Sequence, residues 1–198
     1  MYNPYDHYFQ KAKEQGYKAR SAFKLEEIQE KFHLLNKNIK NILDIGCAPG
    51  SRMQYTYNLL HKRRKEFQII GFDIKNVEIS IPNTKTYVQD VTDKEAIKKI
   101  LEENKIQKVD FIQSDMAPNT IGMKNIDAMR SFALLEETLW MYTELLNHDG
   151  KFVTKLFMGP GFDEYLSILK KHFGGKNIKT FKPKSSRKES KEIYVIKV

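Results

Sequence analysis

Apolar residues recur along the chain in two spacings, and segments with one spacing alternate with segments that have the other. Between Ser21 and Phe32 they recur every three or four positions, which predicts an amphipathic helix with Ser21 as its N-cap. Short apolar runs such as 42–45 and 67–72 instead predict buried strands. Further helices are predicted at 51–61, 92–103 (capped by Thr92 or Asp93), 126–147 and 162–173, and further strands at 86–89, 109–112, 151–157, 177–182 and 192–197.

This alternation predicts an α/β fold, with a mostly parallel seven-stranded sheet and helices on both faces. Only a loop at 183–190, expected to be flexible, separates the last two strands, which predicts an antiparallel hairpin at one edge. No linker rich in Pro, Gly or Ser divides the 198 residues. We therefore expect one domain over 1–198, with the basic and aromatic segment 1–20 as an N-terminal extension that contacts RNA.

Composition narrows the class of protein. With 34 basic and 25 acidic residues the net charge is +9, which favours polyanionic partners such as nucleic acid over a merely solvated Lys-rich surface. No apolar run approaches the roughly 18 residues of a membrane-spanning helix, and the N-terminus lacks the apolar core of a secretory signal. The lone Cys47 excludes an internal disulfide and a Cys-rich zinc site, and no metal is expected. Cys47 itself is expected to be a small packed residue.

Aspartates lie at or near the ends of four predicted strands, at Asp44, Asp73, Asp90 and Asp115. Ligands of open α/β sheets bind outside the carboxyl ends of the strands. The glycines of the loop 46–50 let the backbone approach a ligand closely, Asp73 suits two ribose hydroxyls, and Asp90 suits an adenine amino group. The loop lacks the G-x-G-x-x-G spacing of dinucleotide sites, so the pattern favours adenosylmethionine over NAD, with an ordinary βα turn as the third interpretation.

A second group of polar residues lies where packing alone would not place it. Lys155 interrupts the apolar run 152–157, and a charged lysine is costly to bury without a partner. Asp115 ends a neighbouring strand, Glu192 begins the last strand and Lys24 lies in the first predicted helix. Taken singly, Lys24 and Glu192 also fit a solvated surface, and Lys155 also fits a side chain that extends to solvent.

Five stretches of the chain carry a family resemblance: Arg-Ser-Ala-Phe-Lys-Leu at 20–25, Asp-Ile-Gly-Cys-Ala-Pro-Gly at 44–50, Ser-Asp-Met-Ala-Pro-Asn at 114–119, Val-Thr-Lys at 153–155 and Ser-Arg-Lys-Glu-Ser-Lys-Glu-Ile-Tyr at 186–194. From about Tyr8 to Val198 the chain resembles the FtsJ/RrmJ family of adenosylmethionine-dependent ribose 2′-O-methyltransferases. The resemblance implies a Rossmann-like class I methyltransferase fold and S-adenosyl-L-methionine as the cofactor.

The resemblance also implies a catalytic tetrad of Lys24, Asp115, Lys155 and Glu192. Lys155 is the candidate base for the ribose 2′-hydroxyl, and it can take the proton only if its amine is neutral. Burial and the nearby Lys24 would lower its pKa toward that state, whereas Asp115 and Glu192 would raise the pKa, and the sequence leaves the balance open. If Lys155 stays charged, it would instead steer the hydroxyl and stabilise the developing alkoxide. The implied cofactor contacts are Asp44, Gly46, Ala48, Pro49, Gly50, Arg52, Asp73, Asp90, Val91 and Asp115.

One position departs from the family pattern. The family commonly has a tryptophan after Pro-Gly-Gly or Pro-Gly-Ser, and this chain has Arg52 there. The aromatic contact near the cofactor is therefore missing, and the role of Arg52 is open.

Basic residues form three clusters. Two of them flank Lys24 and Glu192 and are expected to line one RNA-binding groove, with aromatic residues of the first cluster stacking on unpaired bases. The third, 61–65, is expected to be a solvated helix end. The clusters comprise Lys11, Lys13, Lys18 and Arg20 (interleaved with Tyr8, Phe9 and Tyr17), the run 61–65, and Lys176, Lys179, Lys182, Lys184, Arg187 and Lys188.

The segment 115–119 looks like the ribosomal RNA branch of the family, and the loop 186–190 looks similar to mitochondrial large-subunit rRNA uridine methyltransferases. The leading hypothesis is thus a monomeric, intracellular rRNA (uridine-2′-O-)-methyltransferase, with a mitochondrial location suggested by the branch resemblance. The alternatives are a tRNA 2′-O-methyltransferase and a non-catalytic RNA-binding ribosome-assembly factor. An NAD-dependent oxidoreductase is disfavoured by the loop spacing.

Overall fold

A computed structural model describes residues 7–63, 66–77, 80–187 and 189–198. Part of the predicted N-terminal extension (1–6), two residues of the basic run 61–65 (64 and 65) and Lys188 of the C-terminal cluster lie outside the described residues. The helices are α1 His7–Glu14, α2 Ser21–Phe32, α3 Ser51–His61, α4 Lys94–Glu103, α5 Lys124–Glu137 and α6 Phe162–Phe173, with a π-helix at Met141–Leu145. The strands are β1 Asn41–Ile45, β2 Gln68–Asp73, β3 Thr84–Val88, β4 Val109–Ser114, β5 Leu146–Phe157, β6 Ile178–Phe181 and β7 Glu192–Lys197.

The described strands form a seven-stranded sheet in the order β3-β2-β1-β4-β5-β7-β6. The first five strands in this order run parallel, whereas β7 runs antiparallel to both β5 and β6. The predicted mostly parallel sheet with an antiparallel edge is therefore confirmed. The last hairpin does not simply extend the edge, because β7 lies between β5 and β6 and therefore pairs with β5 along six residues.

Both faces of the sheet are covered, because successive side chains of a strand point to opposite sides. Leu43 and Ile45 pack on the face covered by α4, α5 and α6, whereas Ile42 packs on the face covered by α2 and α3. We call the second one the α2–α3 face. Apolar residues such as these three are fully buried, and each contributes about 1.5–3 kcal/mol relative to an exposed side chain.

One predicted helix is wrong in its second half. The pattern at 126–147 predicts one continuous helix, but α5 ends at Glu137, a π-helix follows at Met141–Leu145, and β5 already begins at Leu146. The Thr138 hydroxyl donates to the carbonyl of Leu134, a local bond that competes with regular helical hydrogen bonding. Leu146 instead pairs with Val109 of β4, so contacts across the sheet override the local helical pattern.

Two smaller expectations also fail. Ser21 is the first helical residue rather than the N-cap of α2, and its hydroxyl is 2.7 Å from that of Ser51. The loop 183–190 is not free over its described residues. The amides of Lys184 and Ser185 donate to the two carboxylate oxygens of Glu27 at 2.6 and 2.8 Å, and this anchors the loop to α2. By contrast, Asp93 caps α4 as predicted by accepting from the Ala96 amide.

In the part of the chain that the structure describes, no helix is long and apolar enough to span a membrane.

Candidate active site

Polar side chains of four strands meet on the α2–α3 face. Asp44, Gln113 and Lys155 each lie two residues after an apolar residue that packs on this face. Because positions i and i+2 of a strand share a face, the three side chains point the same way. Tyr194 packs on this face as well, and Glu192 precedes it by two residues on β7. Strand alternation therefore directs five polar groups toward α2 and α3.

Two ion pairs connect the predicted tetrad. Lys24 Nζ on α2 lies 2.6 Å from Glu192 Oε1. Lys155 Nζ lies 3.1 Å from Asp115 Oδ1 and donates to the Asp115 backbone carbonyl at 2.5 Å. The pairs are within electrostatic range of one another, since the charges of Lys24 and Glu192 both act on Lys155. The structure thus brings all four predicted residues together.

Asp115 is the most connected member of the group. Its Oδ1 accepts from the Tyr194 hydroxyl at 2.9 Å as well as pairing with Lys155, and its Oδ2 lies 3.3 Å from Arg52 Nη1. The β5–β7 register explains part of this arrangement, because Lys155 lies directly opposite Tyr194. The Asp115 amide donates to the Ile45 carbonyl at 3.1 Å, so the neighbouring strand holds its backbone as well.

Arg52 and Asp44 form a buried pair beneath this group. Arg52 is 5% exposed and Asp44 is fully buried. Arg52 Nη2 donates to Asp44 Oδ1 and, at 2.7 Å, to the Gly46 carbonyl. Gln113 donates to Asp44 Oδ2 at 2.8 Å and accepts from the Thr56 hydroxyl at 2.8 Å. Burial raises the pKa of Asp44, and both Arg52 and Gln113 oppose that rise.

The environment of Lys155 favours its neutral form. Burial, followed by the positive charges of Lys24 and Arg52, lowers the pKa of Lys155 from 10.5 to about 7. The carboxylate of Glu192 acts in the opposite direction. Asp115 Oδ1, 3.1 Å from Nζ, attracts the charged form of the amine. A pKa near 7 leaves a substantial fraction of Lys155 as the free amine at neutral pH, which is the form a general base requires.

The pair of Lys24 and Glu192 is stabilised mutually in its charged state. Burial alone would raise the pKa of Glu192, but the nearby Lys24 ammonium reverses the shift and lowers it. Burial lowers the pKa of Lys24, and the attraction to Glu192 opposes that shift. This pair therefore supplies a fixed cation and anion beside Lys155.

A cavity of about 450 Å³ opens at the carboxyl ends of β1, β2 and β4, which is within the usual range for small-molecule sites. Three carboxylates face it, on Asp73, Asp90 and Asp115. The predicted cofactor residues that line it are Gly46, Ala48, Asp73, Asp90, Val91 and Asp115.

Hydrogen bonds orient two of these carboxylates and leave acceptor capacity for a ligand. Asp73 Oδ2 accepts from the Ala48 amide at 2.8 Å, and its Oδ1 accepts from the Lys75 amide at 2.9 Å. Asp90 Oδ1 accepts from both the amide and the hydroxyl of Thr92. Each carboxylate has four lone-pair positions, so both residues remain able to bind hydroxyl or amino groups.

Other predicted cofactor residues do not line the 450 Å³ cavity. Asp44 and Arg52 are in the buried pair, and Gly50, with φ of 101°, precedes the first residue of α3. These three are not among the residues that line the 450 Å³ cavity, whereas Pro49 lines a neighbouring cavity. Their direct contact with a cofactor stays a prediction.

The neighbouring cavity has a volume of about 880 Å³, and both cationic and anionic side chains line it. Arg20 comes from the N-terminal basic cluster and Arg187 from the C-terminal one, and both line it together with Lys24 and Glu192. The structure therefore brings one member of each cluster to a shared cavity, whereas the other described members of both clusters are not among the residues that line it. Ala48 and Asp115 line both cavities, so the two spaces meet at Asp115.

Tyr194 and Gln113 belong to the site but were not predicted from the sequence as site residues. A signal for both was available, since Tyr194 lies two residues after Glu192 and Gln113 lies two residues before Asp115 in otherwise apolar strands. Polar residues at this spacing in buried strands share a face with the site residues.

This fold and site are those of a methyltransferase family. Residues 17–198 match the family model of the FtsJ-like methyltransferases, and the chain belongs to that family.

Curated relatives and solved structures extend the similarity over nearly the whole chain. The chain is 41% identical over 192 residues to the ribosomal RNA large subunit methyltransferase E of Desulfatibacillum aliphaticivorans, covering 96% of this chain and 88% of the relative. It is 42% identical over 191 residues to the protein of the same name from Pelagibacter ubique, covering 96% and 90%. A solved Plasmodium falciparum structure, described as a ribosomal RNA methyltransferase, superposes with a TM-score of 0.79 at 31% identity, covering 91% of this chain and 97% of that one.

Proposed function

We propose that this protein transfers a methyl group from S-adenosylmethionine to a ribose 2′-hydroxyl of large-subunit ribosomal RNA, with a uridine as the target nucleoside. The family and the names of the relatives support the reaction and the RNA class. The observation that carries the proposal is the position of Asp115, which borders both cavities and holds the Lys155 amine through two of its oxygens.

The 450 Å³ cavity fits the cofactor. When bound, S-adenosylmethionine supplies a methyl group activated by a positively charged sulfur. Asp73 and Asp90 would hold its ribose and adenine through the acceptor positions described above, and Gly46 keeps the loop backbone close to the cavity. A cofactor without phosphate groups suits a wall that carries three carboxylates and one lysine.

Lys155 is the proposed general base. A neutral amine has two hydrogens and one lone pair, and the Asp115 carbonyl and Oδ1 are placed to accept those two hydrogens. The lone pair then remains for the ribose hydroxyl. Lys155 Nζ accepts the hydroxyl proton as the ribose oxygen is methylated, and the resulting ammonium is stabilised at once by the carboxylate of Asp115.

The remaining tetrad residues position and balance the charges of the site. Lys24 lowers the proton affinity of Lys155, and Glu192 holds Lys24 in place at 2.6 Å. Because both line the 880 Å³ cavity, they also face the proposed RNA side, where Arg20 and Arg187 are positioned to bind phosphates.

The chain is proposed to act as a monomeric, single-domain enzyme on RNA rather than at a membrane. Size-exclusion chromatography with light scattering tests the oligomeric state. A mitochondrial location stays a prediction from the 186–190 loop, and fractionation of the source cells tests it.

The deciding experiment measures transfer of labelled methyl from S-adenosylmethionine to deproteinised rRNA, large ribosomal subunits and tRNA. The products are digested and resolved as 2′-O-methyl nucleosides. Lys155→Ala is the test variant and Lys151→Ala, on the same strand but outside the tetrad, is the matched control.

Label in rRNA or subunits, absent with Lys155→Ala and present with Lys151→Ala, is the expected result. Label in tRNA alone would reassign the substrate. An absence of both transfer and cofactor binding would support the non-catalytic assembly factor instead.

A further inference from the structure

We propose that Arg52 is a positioning residue of the methyl-transfer site, acting through Asp115 by means of a buried guanidinium that bridges Asp44 and Asp115. The inference rests on the proposed function, and it assigns a role to the one motif position at which this chain departs from the family pattern. It differs from a direct cofactor contact because Arg52 is not among the residues that line the 450 Å³ cavity.

The geometry of Arg52 is that of a bridge between two carboxylates. One end of its guanidinium, Nη2, contacts Asp44 Oδ1 and the Gly46 carbonyl, while Nη1 lies 3.3 Å from Asp115 Oδ2. A flat, permanently charged group with several donors suits two acceptors at once, which a lysine cannot match. A cation with a side chain only 6% exposed is costly unless it is paired. Asp44 accepts a hydrogen bond from Nη2 and Asp115 makes an ion-pair contact with Nη1, while Nε and Nη1 have no hydrogen-bond partner among the described residues.

This bridge divides the Asp115 carboxylate between two cations. Oδ1 faces Lys155 and the Tyr194 hydroxyl, whereas Oδ2 faces Arg52. Without Arg52, Lys155 would be the remaining cation in direct contact with Asp115, and that attraction would hold the lysine in its protonated form. With Arg52 present, the Asp115 carboxylate keeps a permanently charged cation as its partner, so Lys155 can lose its proton without leaving that carboxylate unpaired.

The charge of Arg52 also acts on Lys155 directly, because it contributes to the lowered pKa of that lysine. A tryptophan at this position would carry no charge and would supply neither effect. The titratable and charged groups that face Lys155 are Asp115 after β4, Lys24 on α2, Arg52 on α3, and Glu192 and Tyr194 on β7.

Replacement of Arg52 by a neutral residue is therefore expected to raise the pKa of Lys155. Lys155 acts as a base only when neutral, so the rate rises with pH through that pKa. In Arg52→Gln we expect the rising limb of the kcat–pH profile to move to higher pH by about one unit, a drop of about tenfold at pH values below the midpoint. At pH 9 the rate is expected to recover most of the wild-type value.

Two variants guard against unfolding. Arg52→Gln keeps an amide donor for Asp44, and the double variant Asp44→Asn, Arg52→Met removes both buried charges while the introduced amide oxygen can still accept from Gln113. Arg63→Met, which removes an exposed arginine whose Nη1 donates to the Leu35 carbonyl, is the control outside the site.

The experiment combines thermal melts, cofactor binding by calorimetry and kcat–pH profiles on the RNA that the wild type methylates. An alkaline shift in the folded Arg52 variants, with cofactor Kd changed by less than about threefold, supports the proposal.

An unchanged midpoint in a folded Arg52 variant overturns the proposal, as does a selective loss of cofactor binding. Failure of both variants to fold assigns Arg52 a purely structural role and overturns it as well. A wild type that methylates no RNA contradicts the proposed function itself, and that outcome is separate from an active wild type whose Arg52 variants show no shift.

Discussion

At the scale of single residues, the protonation state of Lys155 controls the proposed reaction. Its pKa is lowered from 10.5 to about 7, mainly by burial, so the fraction of neutral amine increases as the pH rises through 7. We expect the wild-type rate to increase with pH up to a plateau above about pH 8, and Lys155→Ala to abolish transfer while cofactor binding persists. Single-turnover rates between about pH 5.5 and 9 check the profile. A flat profile would show that Lys155 does not act as a base.

Tyr194 provides a second residue-scale prediction. Its hydroxyl donates to Asp115 at 2.9 Å, and burial raises the pKa of Tyr194, so the donor stays protonated. Tyr194→Phe is expected to destabilise the protein by about 1–2 kcal/mol, because a hydrogen bond to a charged acceptor is lost. Looser positioning of Asp115 is expected to lower kcat about fivefold, equivalent to about 1 kcal/mol.

Chemical denaturation and kcat measurements check the Tyr194→Phe variant. Tyr165→Phe is the matched control, since the buried Tyr165 hydroxyl has no hydrogen-bond partner among the described residues. Equal effects of the two substitutions would contradict a specific role for the Tyr194 hydroxyl.

At the scale of elements, the loop from β1 to α3 depends on a close backbone approach. Gly46 has φ of 69°, and a Cβ at this position would lie 2.8 Å from the backbone N and Cα of Met116. Gly46→Ala is expected to cost about 2 kcal/mol or more, since left-handed backbone strain adds to a clash with main-chain atoms that cannot rotate away. Cofactor affinity is expected to fall as well, because both segments line the 450 Å³ cavity.

Gly16→Ala separates the two contributions to that cost. Gly16 has a similar φ of 74°, but a Cβ added there would meet no heavy atom within 4 Å among the described residues, so this substitution carries the backbone strain alone. Thermal melts and cofactor titrations of both variants give the comparison. If Gly46→Ala melted and bound like Gly16→Ala, the contact with Met116 would not limit the loop.

At the scale of the whole molecule, the net charge of +9 favours RNA, and Arg20 and Arg187 both line the 880 Å³ cavity. Binding that neutralises phosphates releases counterions and weakens with salt. Arg187→Gln is expected to weaken RNA binding and to reduce the slope of log K against log salt by about one, for each phosphate contact that is lost. Lys170→Gln, in the last turn of α6 and outside this cavity, is the control. An unchanged slope in Arg187→Gln would place the RNA elsewhere.

Several elements of this protein were predictable from local pattern, because their apolar spacing and their tertiary burial agree. The helices at 21–32, 51–61 and 162–173 begin and end where the pattern places them. The end of the predicted helix at 126–147 could not be placed from the sequence, because an apolar Leu146 fits a helix and a strand equally well. Its pairing with Val109 depends on a strand far away in the sequence.

The residues of the site also fall into those that the sequence indicates and those that only the fold brings into place. Lys155, the glycine loop and the strand-end aspartates were identifiable from local signals, because a charged group in an apolar run and glycines or carboxylates at strand ends stand out in the sequence. The grouping of Lys24, Asp115, Lys155 and Glu192 into one tetrad came from the family resemblance, since Lys24 and Glu192 taken singly also fit a solvated surface. The bridge of Arg52 to Asp44 and Asp115 and the contact of Tyr194 with Asp115 depend instead on how the chain packs. Strand alternation sets which face a side chain occupies, but the order of the strands decides its neighbours. Here the placement of β4 beside β1, and of β7 between β5 and β6, brings these groups together.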